Sequence, residues 1–320
     1  MLTPPDSVTD DAVLDSVREH WLDDAEKAVH LPVGFGAHHW QVRGSSRRQL
    51  FVTLDALAPR HTERSLEGAY AGAAALAAAG LESVWPSLPA STGTFTIRLG
   101  DGALSATAWL DGHTPTEEEG TEPDHLRHVL AALDALHGST PPPGIPVWKP
   151  RVDIDFPAQI ARTVREPWTA GPLGEDARVA ISARLDDIGR WTTRYLDLTE
   201  QARRDRATWV ATHGEPHHRN QIRTPERLWF VDWESLALAP RERDLVDYGG
   251  ATARQPMVEL PARLAPQRDR RVHRLVHSCP HRRRRRRHRT GRPARGTAEL
   301  TTRRRDGPAA TALLPGRRPP

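Results

Sequence analysis

The residues best suited to chemistry lie in one polar segment and in a short acidic segment that follows it. Residues 213–220 read HGEPHHRN, and residues 230–234 read FVDWE. A carboxylate such as Glu215 can take the proton of a substrate hydroxyl group, while the side-chain oxygens of Asn220 and Asp232 are hard ligands of the kind that Mg²⁺ prefers. This division of roles is what phosphoryl transfer from a nucleotide requires.

The spacing of these residues resembles the aminoglycoside phosphotransferase family, which has the pattern H-G-D/E-x-x-x-x-N and then a D-x-[ED] loop. Here Asn220 comes five positions after Glu215, and Asp232 comes twelve positions after Asn220. The resemblance covers about residues 10–250. The sequence HGEPH at residues 213–217 resembles a bacterial subgroup similar to spectinomycin phosphotransferases, in which Glu replaces the commoner Asp. It implies an α+β, two-lobed, protein-kinase-like fold with a small antiparallel-sheet N-lobe and a larger helical C-lobe.

The resemblance also implies a role for each of these side chains. Glu215 is the catalytic base, His213 is a second candidate catalytic residue, and Asn220 and Asp232 hold Mg²⁺. Asp244 is a structural carboxylate downstream. Glu has one methylene group more than Asp, so the base is less tightly positioned. The residues alone leave two alternatives open, in which the carboxylates belong to ordinary loops and His213 is purely structural.

The histidines of the polar segment allow a different metal site. His213 and His217 have the His-x-x-x-His spacing that binds zinc when both residues lie on a helix, and His218 follows directly. Gly214 and Pro216 disfavour a helix at this point. Zinc is therefore the weaker alternative.

A glycine pair and a tryptophan are the candidates for nucleotide binding. Gly34 and Gly36 lie in the sequence GFGA, where they leave backbone N–H groups free to approach phosphate oxygens. The resemblance places hairpin 33–55 over the nucleotide, which we expect to be ATP. Trp109 and Leu110 fall where the adenine ring would lie between the lobes. An ordinary tight turn and an ordinary core aromatic residue are the alternatives.

The strand that follows the hairpin turn lacks an expected cation. Kinase-like enzymes usually carry a lysine there that holds the nucleotide phosphates and pairs with a helix glutamate. This chain has Thr53, and its two lysines, Lys27 and Lys149, do not align with that position. Without the lysine, Glu67 is expected on a solvated helix face. The positive charge must come from magnesium, from backbone N–H groups or from one of three arginines: Arg43, Arg47 or Arg48.

Hydrophobic periodicity and turn residues predict the elements that position these groups. Those of the N-lobe are a helix over residues 10–28, a hairpin of His38–Val42 and Leu50–Leu54, a helix over Ser65–Ala79, and a second hairpin of Thr94–Leu99 and Leu104–Leu110. Those of the C-lobe are helices over residues 126–136 and 179–195 and two apolar runs, Thr208–Thr212 and Leu228–Trp233, that lead into the polar segments.

Charge divides the chain into an acidic body and a basic tail. Residues 268–320 contain 18 Arg and three acidic residues, a balance of 18 − 3 = +15, so the total of +4 leaves −11 for residues 1–267. We expect a nucleotide-covering lobe over 1–110, a helical catalytic lobe over 111–267, and a tail that is disordered or translated out of frame. A single cysteine and the lack of a long apolar run predict a cytoplasmic protein without membrane association.

The main functional hypothesis is an ATP- and Mg²⁺-dependent phosphotransferase acting on a hydroxyl group of a small molecule, with aminoglycoside-type antibiotics first. An acidic body agrees with a cationic acceptor. The alternatives are a choline, homoserine or sugar kinase and a nucleotide-binding protein without turnover, which Thr53 favours. The tail suggests non-specific attraction to nucleic acid rather than a specific nucleic-acid partner. The protein is expected to be a monomer or a homodimer.

Overall fold

A five-stranded antiparallel sheet forms most of the first half of the molecule, in the order β1-β2-β3-β5-β4. The computed structural model describes residues 1–169 and 171–248. The strands are β1 Ala25–Leu31, β2 Ala37–Gly44, β3 Gln49–Ala56, β4 Ile97–Leu99 and β5 Gly102–Ala108. Two helices accompany this sheet, α1 Asp10–His20 and α2 Glu63–Ala78.

The two faces of the sheet have different tasks because alternate side chains of a strand point to opposite sides. Leu50, Val52 and Leu54 of β3 are buried in one core with Trp40 and with Val17 of α1. The intervening residues 51, 53 and 55 point to the other face, toward α2 and the second half of the chain. That second face carries polar residues, so we call it the polar face of the sheet, and it covers the candidate site.

Helix α2 joins the two lobes through close packing. A Cβ atom on Gly72 would lie 2.4 Å from Ile145 Cγ2 and 2.8 Å from Leu236 Cδ2, so only glycine lets the helix come this near. Leu66 and Leu76 of the helix share one hydrophobic core with residues of the second lobe. The sheet is thereby held against the loops that carry the polar segments.

The second lobe is mainly helical. Its helices are α3 Pro123–Gly138, α4 Phe156–Thr163, α5 Gly174–Ser182, α6 Leu185–Arg204 and α7 Glu242–Leu245. Two short antiparallel pairs complete it: β6 Val210–Thr212 with β9 Ala237–Ala239, and β7 Gln221–Arg223 with β8 Leu228–Phe230. The polar segment 213–220 connects β6 to β7, and residues 231–236 connect β8 to β9.

Two of the predicted helices are wrong in extent. The predicted helix over residues 10–28 ends at His20, and the chain turns there because the N–H groups of Trp21 and Leu22 both bond to Val17 O. Residues 25–31 then form β1, whose hydrogen bonds to β2 outweigh the helical pattern. The predicted helix over 179–195 is interrupted near Arg184, whose ψ of 12° is not helical, and it forms parts of α5 and α6.

The other predicted elements are present, but four strands differ in extent from the prediction. Of the predicted run 94–99 only Ile97–Leu99 is a strand, β5 ends at Ala108, and β6 and β8 have three residues each. The hairpin of β2 and β3 contains the predicted runs, and α2 ends just before Gly80, whose φ is +95°. The predicted boundary at residue 267 and the Arg-rich tail lie outside the described residues. No helix among the described residues is long and apolar enough to cross a membrane.

Candidate functional site

The loop after β6 is fixed by a buried carboxylate. Asp244 is fully buried and accepts hydrogen bonds from the backbone N–H groups of His213, at 2.9 Å, and Gly214, at 2.6 Å. His137 Nε2 lies 2.9 Å from the same carboxylate. Gly214 has a φ of +97°, and a Cβ atom there would lie 2.1 Å from the Arg243 guanidinium, so the loop requires glycine at this position.

The His213 ring connects this loop to the acidic loop after β8. Its Nε2 atom lies 2.9 Å from Val231 O, and its Nδ1 atom accepts the backbone N–H of Glu215 at 3.3 Å. Burial lowers the pKa of the ring, so the neutral form donates at Nε2 and accepts at Nδ1. Both ring nitrogens are engaged within the protein, and the ring has no exposed surface. This geometry suits a positioning role.

Asn220 and Asp232 lie next to the hydrogen bond that joins the two loops. Asn220 donates from its side-chain Nδ2 to Glu215 O at 3.0 Å, and its backbone carbonyl oxygen accepts the N–H of Val231 at 3.0 Å. Because the side chain donates through its nitrogen, Asn220 Oδ1 is available to a ligand. Asp232 has a left-handed backbone with a φ of 67°, a conformation that Asp tolerates better than most residues, and it is exposed.

The donor set fits a hard cation rather than zinc. Within the described part of the chain, no group of three or more His, Cys, Asp or Glu is arranged to hold a metal ion. The zinc alternative is therefore wrong, since His213 is also engaged at both nitrogens. Mg²⁺ commonly uses one or two protein oxygens together with water and phosphate oxygens. Asn220 and Asp232 match that requirement, and the buried Glu234 Oε2 nearby has no hydrogen-bond partner among the described residues.

Two arginines lie against the proposed base. Arg60 contacts the Glu215 carboxylate through Nη2, and Arg151 Nη2 lies 3.4 Å from Glu215 Oε1. Burial raises the pKa of Glu215, but these two charges outweigh it and the pKa lies below its ordinary value. Glu215 is consequently ionised at neutral pH. Burial, followed by the charges of Asp232 and Asp55, raises the pKa of Glu234 well above its ordinary value.

The polar face of the sheet, which lies over these loops, contains a buried acid in the region where a lysine is expected. Thr53 Oγ1 pairs with His39 Nδ1 at 3.1 Å, and burial lowers the pKa of His39 to about 4. Two residues further along β3, Asp55 accepts a 2.6 Å hydrogen bond from the Tyr70 hydroxyl, and burial raises the pKa of Asp55 to about 7. An Asp–Tyr pair thus occupies the region in which kinase-like enzymes use a Lys–Glu pair.

Glu67 was expected on a solvated face, and this expectation is wrong. Its carboxylate accepts the backbone N–H groups of Phe95 and Thr96, each at 3.0 Å, and the Thr96 hydroxyl at 2.8 Å. Glu67 therefore holds the segment that leads into β4. Because the glutamate has backbone partners there, it needs no lysine.

The glycine pair lies in the β1–β2 turn at the same end of the sheet as Asp55. Gly34 and Gly36 have φ values of +72° and +92°. The His39 ring lies under the first of them, since a Cβ atom on Gly34 would be 2.7 Å from His39 Nε2. The polar face of the sheet therefore supports the turn directly.

Trp109 and Leu110 follow β5 at the opposite end of the sheet, and both are half-buried. The backbone N–H of Trp109 is bonded to Gln49 O at 2.9 Å, and its indole N–H is bonded to Asp111 Oδ1 at 3.0 Å. A purine at this place would have to find its hydrogen-bond donor on another residue of the segment.

Arg60, Arg151 and Tyr70 are residues of the site that sequence reasoning missed. Arg60 and Arg151 lie in segments without periodic pattern, and they approach Glu215 from 155 and 64 residues away. Asp55 carried one usable signal, because it is an acidic residue on the inward face of a predicted strand.

Comparisons with known proteins identify the family. Curated protein sequences give no match. The model of the phosphotransferase enzyme family (APH) matches residues 28–288. The chain belongs to this family. It is an enzyme that transfers a phosphoryl group to an alcohol group of a small molecule, and the resemblance to the aminoglycoside phosphotransferases is confirmed.

Solved structures support the fold of this phosphotransferase. Spectinomycin phosphotransferase APH(9)-Ia, in complex with ADP and spectinomycin, is similar with a TM-score of 0.58 and 16% identity, over 76% of this chain and 74% of that chain. The AMP-bound complex of the same enzyme has a TM-score of 0.53 and 17% identity, over 76% and 75% of the two chains. These similarities confirm the two-lobed, kinase-like α+β fold.

Proposed function

We propose that this enzyme transfers the γ-phosphoryl group of ATP, with Mg²⁺, to a hydroxyl group of an aminoglycoside-type antibiotic. The observation that carries the proposal is the single hydrogen-bonded unit formed by the two polar loops. Asn220 bonds to the carbonyl of Glu215, Val231 bonds to the carbonyl of Asn220, and His213 contacts both loops. The proposed base and the proposed metal ligands are thus fixed relative to each other.

The proposed reaction uses Glu215 as the acceptor of one proton. The oxygen of the substrate hydroxyl forms a bond to the γ-phosphorus of ATP, and the bond between that phosphorus and the β-phosphate oxygen breaks. The hydroxyl proton passes to the Glu215 carboxylate and then to solvent, so the products are ADP, the phosphate ester and a proton. The two arginine contacts keep Glu215 ionised for this role.

Asn220 and Asp232 are the proposed magnesium ligands. A bound Mg²⁺ neutralises the charge that develops on the phosphate oxygens. Asn220 presents its side-chain oxygen because its amide nitrogen is held by Glu215 O at 3.0 Å. The left-handed backbone of Asp232 lets the carboxylate leave the end of β8 without continuing the strand.

The acceptor is proposed from charge and from similarity. The balance of −11 over residues 1–267 favours a cationic acceptor such as an amine-bearing sugar. The similar enzyme APH(9)-Ia was solved with ADP and spectinomycin, which supports a nucleotide and an antibiotic of this class. Use of ATP and a single cysteine support a cytoplasmic place of action. A kinase of choline, homoserine or a sugar is the alternative.

The experiment is a panel of acceptors tested for acceptor-dependent ADP release. Spectinomycin, other aminoglycosides, choline, homoserine and simple sugars are each supplied with ATP and Mg²⁺, and phosphorylated product is confirmed by mass. We expect turnover with an aminocyclitol or aminoglycoside. Turnover with choline, homoserine or a sugar alone would overturn the antibiotic assignment. ATP binding without ADP release for every acceptor would favour the protein without turnover, which Thr53 had suggested.

A further inference from the structure

Neither lysine of the chain lies where a kinase-like enzyme would hold the phosphate groups of its nucleotide. Lys27 is exposed on β1, and Lys149 is exposed in the segment before α4. Arg43 and Arg48 lie at the turn between β2 and β3. Six residues of β3 separate that turn from Asp55, which is about 20 Å in a strand. The arginines expected from the sequence therefore lie at the wrong end of the sheet.

Arg60 lies at the right end of the sheet, five residues after Asp55. The chain turns tightly before it, since the N–H of Ala58 bonds to His61 O at 2.7 Å. From this turn the side chain reaches the loops of the C-lobe, where Nη2 contacts Glu215 and lies 2.7 Å from Glu234 Oε1. Arg60 is thus a cation of the N-lobe placed between the proposed base and the acidic loop.

The contacts of Arg60 use only part of its guanidinium group. Nη2 makes all three hydrogen bonds, including one of 2.9 Å to the Ser235 hydroxyl. Nε and Nη1 make no hydrogen bond to any residue within 1–169 or 171–248. A guanidinium group has five N–H donors in a fixed fork that matches two oxygens of a phosphate. The side chain therefore keeps donors for a ligand while it is held in place by acids.

The negative charge in this part of the cleft would also oppose phosphate binding unless a cation could move next to the phosphates. Three carboxylates influence one another here, those of Asp55, Asp232 and Glu234. The ionised Glu215 contacts the same arginine. The ionised carboxylate of Glu215 repels the phosphates of a nucleotide, and the repulsion is strong where water is excluded. The Arg60 side chain is 37% exposed, so it can turn toward an entering ligand while its backbone stays fixed by the turn.

We propose that Arg60 binds the terminal phosphate of the nucleotide and supplies the positive charge that the missing strand lysine does not bring to the phosphates. Without nucleotide, the guanidinium is held by Glu215 and Glu234. The terminal phosphate engages its free donors at a place next to the proposed base. This inference rests on the proposed function, because it presumes a nucleoside triphosphate as donor.

The test compares the binding of ATP and of AMP by calorimetry, in wild type and in three variants. Arg60→Gln removes the charge, Arg60→Lys keeps the charge without the fork, and Arg98→Gln is the control. Arg98 pairs with Glu63 at 2.5 Å on an exposed surface. Thermal unfolding of each variant is recorded beside the binding data, so that loss of fold is separated from loss of a contact.

We expect Arg60→Gln to weaken ATP about tenfold to 100-fold, as charge-assisted hydrogen bonds are lost, and AMP by less than about threefold. Arg60→Lys should recover part of the loss, and Arg98→Gln should bind like wild type. Equal affinity of Arg60→Gln and wild type for ATP would overturn the inference and leave the proposed function standing. Equal loss of ATP and AMP would overturn it in favour of a structural role. Wild type that binds neither nucleotide would overturn both.

Discussion

The two halves of the cleft differ in how they relate to the family pattern. In the C-lobe, Asp244 of α7 holds the backbone N–H groups of His213 and Gly214. His213 and Asn220 then connect the loop after β6 to Val231 in the loop after β8. In the N-lobe, the polar face of β3 carries Thr53 and a buried Asp55 in place of a cation. One half is fixed by its own chain segments, and in our proposal the other half takes its cation, Arg60, from the loop after β3.

This difference has a physical reason. The proton acceptor and the metal ligands must be fixed relative to each other to a fraction of an ångström, and a connected loop network achieves that. A positive charge for phosphate can come from any direction that reaches a phosphate oxygen. In our proposal Arg60 supplies the charge that a strand lysine supplies elsewhere, whereas a base in place of Glu215 would have to come from the same loop.

The largest expected effect concerns the metal. Asp232→Asn should lower Mg²⁺-dependent turnover about a thousandfold or more, because several kcal/mol of charge stabilisation is lost. ADP release and circular dichroism measure activity and fold. Asp101→Asn, on the exposed turn before β5, is the matched control. Near-normal turnover of Asp232→Asn with an unchanged magnesium optimum would contradict the assignment.

The next effect concerns the fixed half of the comparison. Asp244→Ala should lower the free energy of unfolding by about 3–5 kcal/mol, because the buried N–H groups of His213 and Gly214 and the His137 ring lose their acceptor. Urea unfolding measures the loss. The exposed Asp124, which pairs with Arg127, provides the control variant Asp124→Asn. Equal stability of the two variants would show that the loop network is not what Asp244 supports.

On the polar face of the sheet, by contrast, removing a buried acid should raise the free energy of unfolding, by an amount that depends on pH. Asp55 keeps its proton to about pH 7 in the folded protein, but an unfolded Asp loses it near 3.8. The unfolded chain therefore binds fewer protons between these values, and the wild type loses stability as pH rises from about 4 to 7. Asp55→Asn should remove this loss and become the more stable protein by up to about 4 kcal/mol above pH 7.

The measurement is the difference in unfolding free energy between Asp55→Asn and wild type at several pH values. The difference matters because burial lowers the pKa values of His39 and His61 to about 4, which favours stability at higher pH in both proteins. A difference that stays constant from pH 4 to pH 8 would contradict the raised pKa of Asp55.

The smallest expected effect is that of Tyr70→Phe, which also tests whether Asp55 ionises in the folded protein. Tyr70→Phe removes one hydrogen bond to Asp55 and should cost about 1–2 kcal/mol. The cost should be larger at pH 8 than at pH 5, because the hydroxyl favours the ionised carboxylate. Tyr195→Phe is the control, since the Tyr195 hydroxyl makes no hydrogen bond to any residue that the structure describes. Equal costs at the two pH values would argue against an ionisable partner.

The sequence predicts the fixed half of the site better than the movable half. Glu215, Asn220 and Asp232 follow each other within eighteen positions, so their spacing alone indicates a shared loop site. Arg60 has no such signal, because its contact with Glu215 joins residues that are 155 positions apart in the chain. The Glu67 expectation was wrong for a related reason, since its partners are backbone N–H groups that no residue type indicates.

The elements show the same division. The hairpin of β2 and β3 and the helix α2 have strong periodicity and clear turn residues, and the sequence predicts them. The helical pattern extends over the first residues of strand β1, because these residues only become a strand when β2 lies beside them. Pairing between distant segments is tertiary information, which a local pattern does not contain.

The most direct test of the central claim is the turnover of Glu215→Gln on a verified acceptor. The variant keeps the size of the side chain but cannot accept the proton, so kcat should fall about 10²–10⁴-fold. The KM for ATP should not rise, because no proposed nucleotide or metal contact uses this carboxylate and its loss only releases Arg60. Glu215→Asp should be partly impaired, since it withdraws the carboxylate by about one bond length. Should Glu215→Gln retain more than about half of the wild-type kcat, the general-base role fails.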